Sequence, residues 1–375
     1  MGKNNQKVVV AMSGGVDSSV AAALLREQGY DLIGITMQVW PSKKSYGGCC
    51  SLEAVDDAKK VADALKIPHY TLNFRDVFKE KVIDNFVDEY KHGRTPNPCI
   101  RCNQFIKFDY LWGKAKELGA EFVATGHYAR IMTNASHRDA SARGDQCQMS
   151  NEGFKLFKGK DTKKDQAYVL YMMTQENLAH TLYPLGDLTK DKVRQIARDY
   201  KLPVAEKGES QEICFVEDDD YGAFLKNVYP GAVKPGLILD MKGKIVGRHN
   251  GIAFYTLGQR KGIGAHKAKP KYVVKIDREN NTIIIGDDED TLSNELVATQ
   301  ISYVSGKAPD GPLNITAKIR YNSPEEEAVL YPEYRTQTTD HRARIIFKRP
   351  QRAITPGQSV VFYKGEEVIG GGIIR

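Results

Sequence analysis

The sequence has no run of apolar residues approaching the ~20 needed to cross a bilayer, and after Met1 only a short polar stretch, Gly2 to Lys7, precedes the first apolar segment. Neither membrane insertion nor secretion is expected, and a cytoplasmic protein is. A myristoyl anchor is excluded as well, because that signal needs Ser or Thr where Gln6 stands. Cysteine is scarce: Cys49, Cys50, Cys99, Cys102, Cys147 and Cys214 are too few to build a disulfide scaffold in 375 residues. They must be core, metal ligands or chemistry. Internal repeats and low-complexity tracts are also missing.

What is present exceeds one core. A hydrophobic content of 41% over 375 residues suits two or three domains. The net charge of +7 is unevenly spread. Ten Lys or Arg between 241 and 280 face only Asp277 and Glu279, and seven between 341 and 375 face only Glu366 and Glu367. Such an excess suits a polyanion such as nucleic acid, although a solvated basic surface has the same composition.

The first half alternates strand and helix. Val8 to Met12, Leu32 to Val39, His69 to Phe74 and Phe122 to Thr125 read as strands; Ser18 to Gln28, Leu52 to Leu65, Val77 to His92 and Phe108 to Leu118 read as helices. That alternation predicts an α/β fold with a doubly wound parallel sheet and ligands at the carboxyl ends of its strands. Met132 to Gly153 is polar and reads as a long loop, after which helices resume at Gln166 to His180 and Lys190 to Tyr200. Beyond Tyr229 short β-branched runs follow: Pro235 to Leu239, Tyr272 to Ile276 and Thr282 to Gly286. Past an acidic boundary at Asp287 to Asp290, Asn314 to Tyr321, Glu327 to Tyr331, Arg342 to Phe347 and Ser359 to Tyr363 predict a small barrel.

Between the first strand and its helix lies Ser13-Gly14-Gly15-Val16-Asp17-Ser18-Ser19. Adjacent glycines let the backbone approach a ligand, and a helix start offers unpaired N–H groups to phosphate. The Gly-Lys-Ser/Thr ending of a Walker loop is missing, so the loop brings no lysine for a γ-phosphate. Thr95 to Asn103 sets Cys99 and Cys102 in a Pro-bounded, nonhelical loop ahead of a helix, with Arg101 and Lys107 close in sequence. Positive charge and a helix start favour a thiolate. A zinc knuckle is the other reading of this pair, but a second nearby CxxC or paired His is missing. Cys214, between Ile213 and Phe215, reads by itself as a buried inert thiol.

SGGVDSS resembles the pyrophosphatase loop of a superfamily that includes GMP synthetases, argininosuccinate synthetases and tRNA thiolases. Taken in order, SGGVDSS, GRTPNPCIRCN with IKF, ATGHYAR, KDQAY, SQEICF and YTLGQRKGIG are similar to the tRNA 2-thiouridylase family over nearly the entire chain. The resemblance implies a catalytic domain over 1–225, a central β-rich tRNA-binding domain over 226–290 and a C-terminal tRNA-binding β-barrel over 291–375. It implies that Ala11, Met12, Ser13, Gly14, Gly15, Val16, Asp17 and Ser18, with Met37 and Gly126, enclose ATP accompanied by Mg²⁺. By the same resemblance Cys102 is the nucleophile and Cys214 carries a persulfide, received from a cysteine desulfurase or sulfur-relay protein. An alternate Cys102–Cys214 disulfide follows from it.

The family likeness further implies that Asn97, Pro98 and Cys99 meet the target base, and that His127, Lys164, Asp165, Gln166, Arg320, Tyr321 and Gln358 touch tRNA. Lysine, glutamate and glutamine tRNAs are the implied acceptors. The implied reaction adenylates the C2 oxygen of the wobble uridine, releases pyrophosphate and then AMP, and leaves 2-thiouridine. Cys99 stands where many family members carry an aspartate. Three thiols at 99, 102 and 214 also raise a [4Fe–4S] cluster as an alternative. Cys49, Cys50 and Cys147 receive no role. Two other functions compete: a pyrophosphatase of the argininosuccinate or GMP synthetase type acting on a small molecule, and a noncatalytic RNA-binding protein.

Overall fold

The computed structural model describes residues 5–40, 52–133, 153–208, 213–216, 220–263, 269–333 and 341–375. Cys49, Cys50, Cys147, most of the expected 132–153 loop, Ser210 to Glu212 and Gly264 lie outside the described residues. Strands β1 (Lys7–Ala11), β2 (Asp31–Gln38), β3 (His69–Asn73) and β4 (Phe122–Ala124) are parallel neighbours in the order β3-β2-β1-β4. A hairpin of β5 (Ala129–Thr133) and β6 (Phe154–Lys158) follows, and β7 (Thr181–Leu182) then joins the sheet beside β4.

Strand periodicity explains why β1 is apolar throughout. Val8 and Val10 face α1 (Val16–Glu27), α2 (Leu52–Leu65) and the Lys190–Asp199 helix, whereas Val9 and Ala11 face the helices of residues 75–91 and 98–117. Chain order reverses at β1, whose two neighbours are β2 and β4. The crevice at the carboxyl ends of β1 and β4 is therefore the sheet's ligand-binding switch point.

The 98–117 helix begins ten residues before the expected Phe108. Asn97 accepts from the Cys99 and Ile100 amides at 3.2 and 3.4 Å, and Pro98 occupies the first helical position. Both thiols of the CxxC pair are thus helical, contrary to the nonhelical loop expected from its prolines. The expected helix over 166–180 is broken into a 3-10 turn, Ala167–Leu170, and a short helix, Gln175–Ala179, capped by Thr174. Residues 167–173 are buried in succession, leaving no solvated face for an amphipathic helix.

The central strands β8 (Gly236–Asp240), β9 (Ile245–His249), β10 (Tyr272–Asp277) and β11 (Thr282–Gly286) form one sheet over a small core that includes Ile238, Val273 and Ile283. Six strands complete the fold: β12 (Leu292–Tyr303), β13 (Leu313–Lys318), β14 (Glu326–Glu333), β15 (Arg342–Arg352), β16 (Ser359–Lys364) and β17 (Glu367–Ile374). Pairing of β12 with β17 closes them into a barrel. Four of the six coincide with the strands expected from sequence. The other two are β12, whose polar residues mask its alternation, and β17, whose Gly370-Gly371-Gly372 run reads locally as a turn.

The β5–β6 hairpin does not stay with the parallel sheet. β6 pairs with β17, Glu367 opposite Phe157 and Val368 opposite Leu156, so the barrel sheet extends into the N-terminal domain. Leu156 is fully buried there. Leu156→Ala is expected to cost about 2–5 kcal/mol, measured as a lower midpoint of denaturant unfolding; an unchanged midpoint would show that this junction is not packed as described.

Candidate active site

The phosphate loop follows β1 at the switch point. Gly14 has φ +70°, and a Cβ there would lie 2.1 Å from the Ala54 carbonyl oxygen, so only glycine fits. Ser18 and Ser19 donate their hydroxyls to the Gly15 carbonyl at 3.2 and 2.8 Å, while the Ser13 amide donates to Ser18 Oγ at 3.1 Å. The Ser18 and Ser19 hydroxyls thus shape the loop. Available to an anion are the first-turn N–H groups of α1, which by geometry have no intrahelical acceptor.

Asp17, in that first turn, is drawn into a network. Lys190 Nζ donates to its two carboxylate oxygens at 2.8 and 2.9 Å, and Tyr128 donates its hydroxyl to Oδ1 at 2.7 Å. A lysine 173 positions away carries no local signal of proximity in the sequence, so Lys190 is legible only in the fold. Tyr128 lies within ATGHYAR. Gly126, in the loop after β4, abuts the same turn: a Cβ there would sit 2.7 Å from the Asp17 carbonyl carbon and the Ser18 amide nitrogen. The structure therefore brings Gly126 to the loop. Met12 is fixed from the other side, where Thr36 donates to its carbonyl at 2.8 Å, and Met37 is half-buried near the end of β2.

Next to Gly126, His127 is buried among Phe108 and Tyr183. Burial first, and then the Lys107 ammonium, push its imidazole well below the usual value of 6.5, so the ring is neutral. Its Nε2 lies 3.4 Å from Lys107 Nζ and its Nδ1 2.7 Å from Thr125 Oγ1. Lysine can only donate, which assigns the proton to Nδ1. Because Lys107 is on the 98–117 helix, one helix runs from the CxxC thiols to the loop beside the phosphate cradle.

Cys99 is exposed in the first turn of that helix; Cys102 is half-buried one turn further on. The helix dipole therefore acts more on Cys99 than on Cys102, because it fades beyond the first turn. Arg101 is anchored on Lys81 and Phe105: its Nε donates to the Lys81 carbonyl at 3.1 Å and its guanidinium lies 4.6 Å from the Phe105 ring centre. The carbonyl it uses lies in the π segment Lys79–Ile83 of the 75–91 helix.

Cys214 is exposed, contrary to the buried thiol its neighbours suggested. Its neighbours are the anchors: Phe215 packs edge-on against Phe78 and Phe86, with centroids 5.7 and 5.3 Å apart. Cys102 packs against the same apolar cluster. The 75–91 helix thus backs both thiol-bearing segments.

The remaining expected RNA contacts are occupied within the protein. Gln358 donates to the Thr95 and Pro96 carbonyls at 2.9 and 3.3 Å, Arg320 to the Arg352 carbonyl at 2.8 Å, and Tyr321 to the Asp165 carbonyl at 3.0 Å. Asp165 accepts from the Gly159 and Ala167 amides, and Gln166 accepts from the Tyr128 amide. Lys164 lies in the same turn, half-buried. Cys99 is close enough to Tyr321 that its charge, after burial and Asp165, raises the phenol's pKa. Among the described residues, which include all three of Cys99, Cys102 and Cys214, no group of three His, Cys, Asp or Glu is arranged to hold a metal ion.

Residues 6–218 match a family model described as a tRNA methyl transferase HUP domain, 222–287 a tRNA methyl transferase PRC-barrel domain, and 293–374 an aminomethyltransferase beta-barrel domain. The tRNA-specific 2-thiouridylase of Acetivibrio thermocellus is 50% identical over 377 residues, covering 99% of this chain and 100% of its own length. That of Clostridium acetobutylicum is 49% identical over 375 residues, covering 99% and 100%. That of Halothermothrix orenii is 49% identical over 373 residues, covering 98% and 99%.

Gly126→Ala is expected to push the first turn of α1 outward and weaken ATP binding at least about tenfold, read by titration calorimetry; unchanged affinity would place the nucleotide elsewhere. A second expectation concerns pH. His127 binds its proton more weakly folded than unfolded, so stability falls as pH drops below 6.5 towards the depressed folded value. His69 and His249, also lowered by burial, add to the effect. Denaturant unfolding between pH 7 and 5 should show that slope, and His127→Gln should flatten it; an identical slope in the variant would contradict the neutral assignment.

Proposed function

The chain belongs to the tRNA-specific 2-thiouridylase family, so it is an ATP-using tRNA-uridine 2-sulfurtransferase, and we propose how its residues divide that work. The observation that carries the reading is the placement of the thiols. One helix backs both Cys102 and the Cys214 segment, and the helix bearing Cys102 extends to His127 beside the phosphate loop.

ATP lies with its phosphates over Ser13 to Ser18, between Met37 and Gly126. The C2 oxygen of the wobble uridine attacks the α-phosphate, the bond to the β-phosphate oxygen breaks, and pyrophosphate leaves with that electron pair. The poor oxygen leaving group becomes AMP. The terminal sulfur of a Cys214 persulfide adds at C2. The Cys102 thiolate then displaces at Cys214 Sγ, and the sulfur on C2 takes up the released electron pair as AMP departs. In the other order Cys102 first frees hydrosulfide, which adds at C2. Either order leaves a Cys102–Cys214 disulfide, reduced afterwards by an external thiol.

Asp17 is the carboxylate at the cradle and would hold an accompanying Mg²⁺, which would supply charge neutralisation to the phosphates. The three thiols do not form a ligand set in this arrangement, and no step is assigned to an iron–sulfur cluster. Residues 1–225 carry the chemistry, while 226–290 and 291–375 grip tRNA. The exposed Lys242 and Lys244 on the turn between β8 and β9 suit phosphate contacts. Asn97, Pro98 and Cys99 lie nearest the everted base, whose extrusion from a single-stranded loop is inexpensive. His127, Lys164, Asp165, Gln166, Arg320, Tyr321 and Gln358 reach tRNA when it docks and replaces some of their internal partners. The sulfur comes from a cysteine desulfurase or relay protein, and the acceptors are the lysine, glutamate and glutamine tRNAs. The setting is the cytoplasm; among the described residues no helix is long and apolar enough to cross a membrane.

The test is nucleoside mass spectrometry with pyrophosphate measurement, on purified protein given ATP, tRNA and a persulfide donor. Expected are 2-thiouridine and tRNA-dependent pyrophosphate, with thiolation lost in Cys102→Ser and in Cys214→Ser. A methylated nucleoside, or pyrophosphate released equally without tRNA, would contradict it.

A further inference from the structure

We propose that Lys190 is a catalytic residue that contacts the β- and γ-phosphates of ATP and neutralises pyrophosphate as it leaves. The inference rests on the functional reading above and adds a group to the same site. Adenylation moves an electron pair onto the oxygen between the α- and β-phosphates, so the departing group gains negative charge. A cation placed there stabilises that charge more in the transition state than in bound ATP. The loop supplies none: Ala11 to Ser19 contains neither Lys nor Arg, and the Ser18 and Ser19 hydroxyls are spent on the Gly15 carbonyl.

The fold brings the missing cation from 173 positions away. Lys190 opens the Lys190–Asp199 helix, where Thr189 caps the helix by accepting from the Lys192 amide. Its own amide donates to Asp161 Oδ2 at 2.9 Å, which fixes the point from which its side chain starts. That side chain is 11% exposed and ends on Asp17, in the first turn of α1, where the phosphate-binding N–H groups are. Burying an ammonium is unfavourable without a paired anion, and Asp17 is such an anion. Tyr128, bonded to Asp17 Oδ1, holds the carboxylate to which the ammonium is paired. A lysine suits the role because its flexible stem lets a compact charge pass from carboxylate to phosphate with small movement. Asp17 and Tyr128 position it; Lys190 touches the leaving group.

Titration of the full-length protein with AMP, ATP and inorganic pyrophosphate, without divalent cation, tests this. Lys190→Gln should weaken pyrophosphate and ATP about tenfold to hundredfold and leave AMP unchanged, with Lys190→Arg recovering part of the loss. Asp17→Asn removes the ion pair but keeps the cation, so pyrophosphate affinity should hold or rise. Equal weakening of all three ligands in Lys190→Gln, or a loss in Asp17→Asn matching it, would reduce Lys190 to a structural partner and overturn the proposal. No pyrophosphate binding by the wild type would overturn it too. Lys190-dependent pyrophosphate binding by a protein that thiolates no tRNA would uphold this assignment while refuting the functional reading.

Discussion

The hydrogen bonds that hold residues 94–97 between the other two domains decide where the thiol-bearing helix starts. The Thr95 amide donates to the Pro356 carbonyl at 2.8 Å, Gln358 returns a bond to the Thr95 carbonyl, and Thr95 Oγ1 lies 3.0 Å from Thr256 Oγ1 in the central domain. Arg94 is tied back to Glu89 at the end of the 75–91 helix. Asn97 then caps the next helix, and Cys99 and Cys102 follow at fixed positions in its first two turns. The proposed chemistry, which aligns two thiols with a nucleotide, gains from such a start, because small misplacements of reacting groups are expensive in rate.

The same constraint relates the barrel to the phosphate loop. Tyr321 in the barrel holds the Asp165 carbonyl, the adjacent Gln166 is doubly bonded to the Tyr128 backbone, and the Tyr128 hydroxyl holds Asp17. Burial raises the Asp165 carboxyl pKa, and the Gly159 and Ala167 amides counter that shift. Residues proposed to meet RNA are therefore the ones that now tie domains together. Docked tRNA would compete for them, which gives a physical route by which a distant surface can adjust the cradle.

Much of this was legible in the sequence because it is local. The apolar β1, the Gly-Gly turn and the α1 start follow from neighbouring residues, and they define the parallel sheet and its switch point. The Asn97-Pro98 pair was a helix-start signal too, but the surrounding prolines pointed to a loop. What could not be read is non-local. The exposure of Cys214 depends on Phe215 finding Phe78 and Phe86, and the burial of 167–173 depends on the barrel. Lys190 reaches Asp17 through the packing of its helix on α1. β17 needed β12 and β6 as partners before its glycines could be recognised as strand.

The most direct measurement of the central claim, that Cys102 and Cys214 serve one uridine, is peptide mapping after a single turnover without external reductant. Protein charged with persulfide on Cys214 and mixed with ATP and tRNA should yield a Cys102–Cys214 linked peptide in step with 2-thiouridine. Full thiolation with no link between those two peptides would contradict the account.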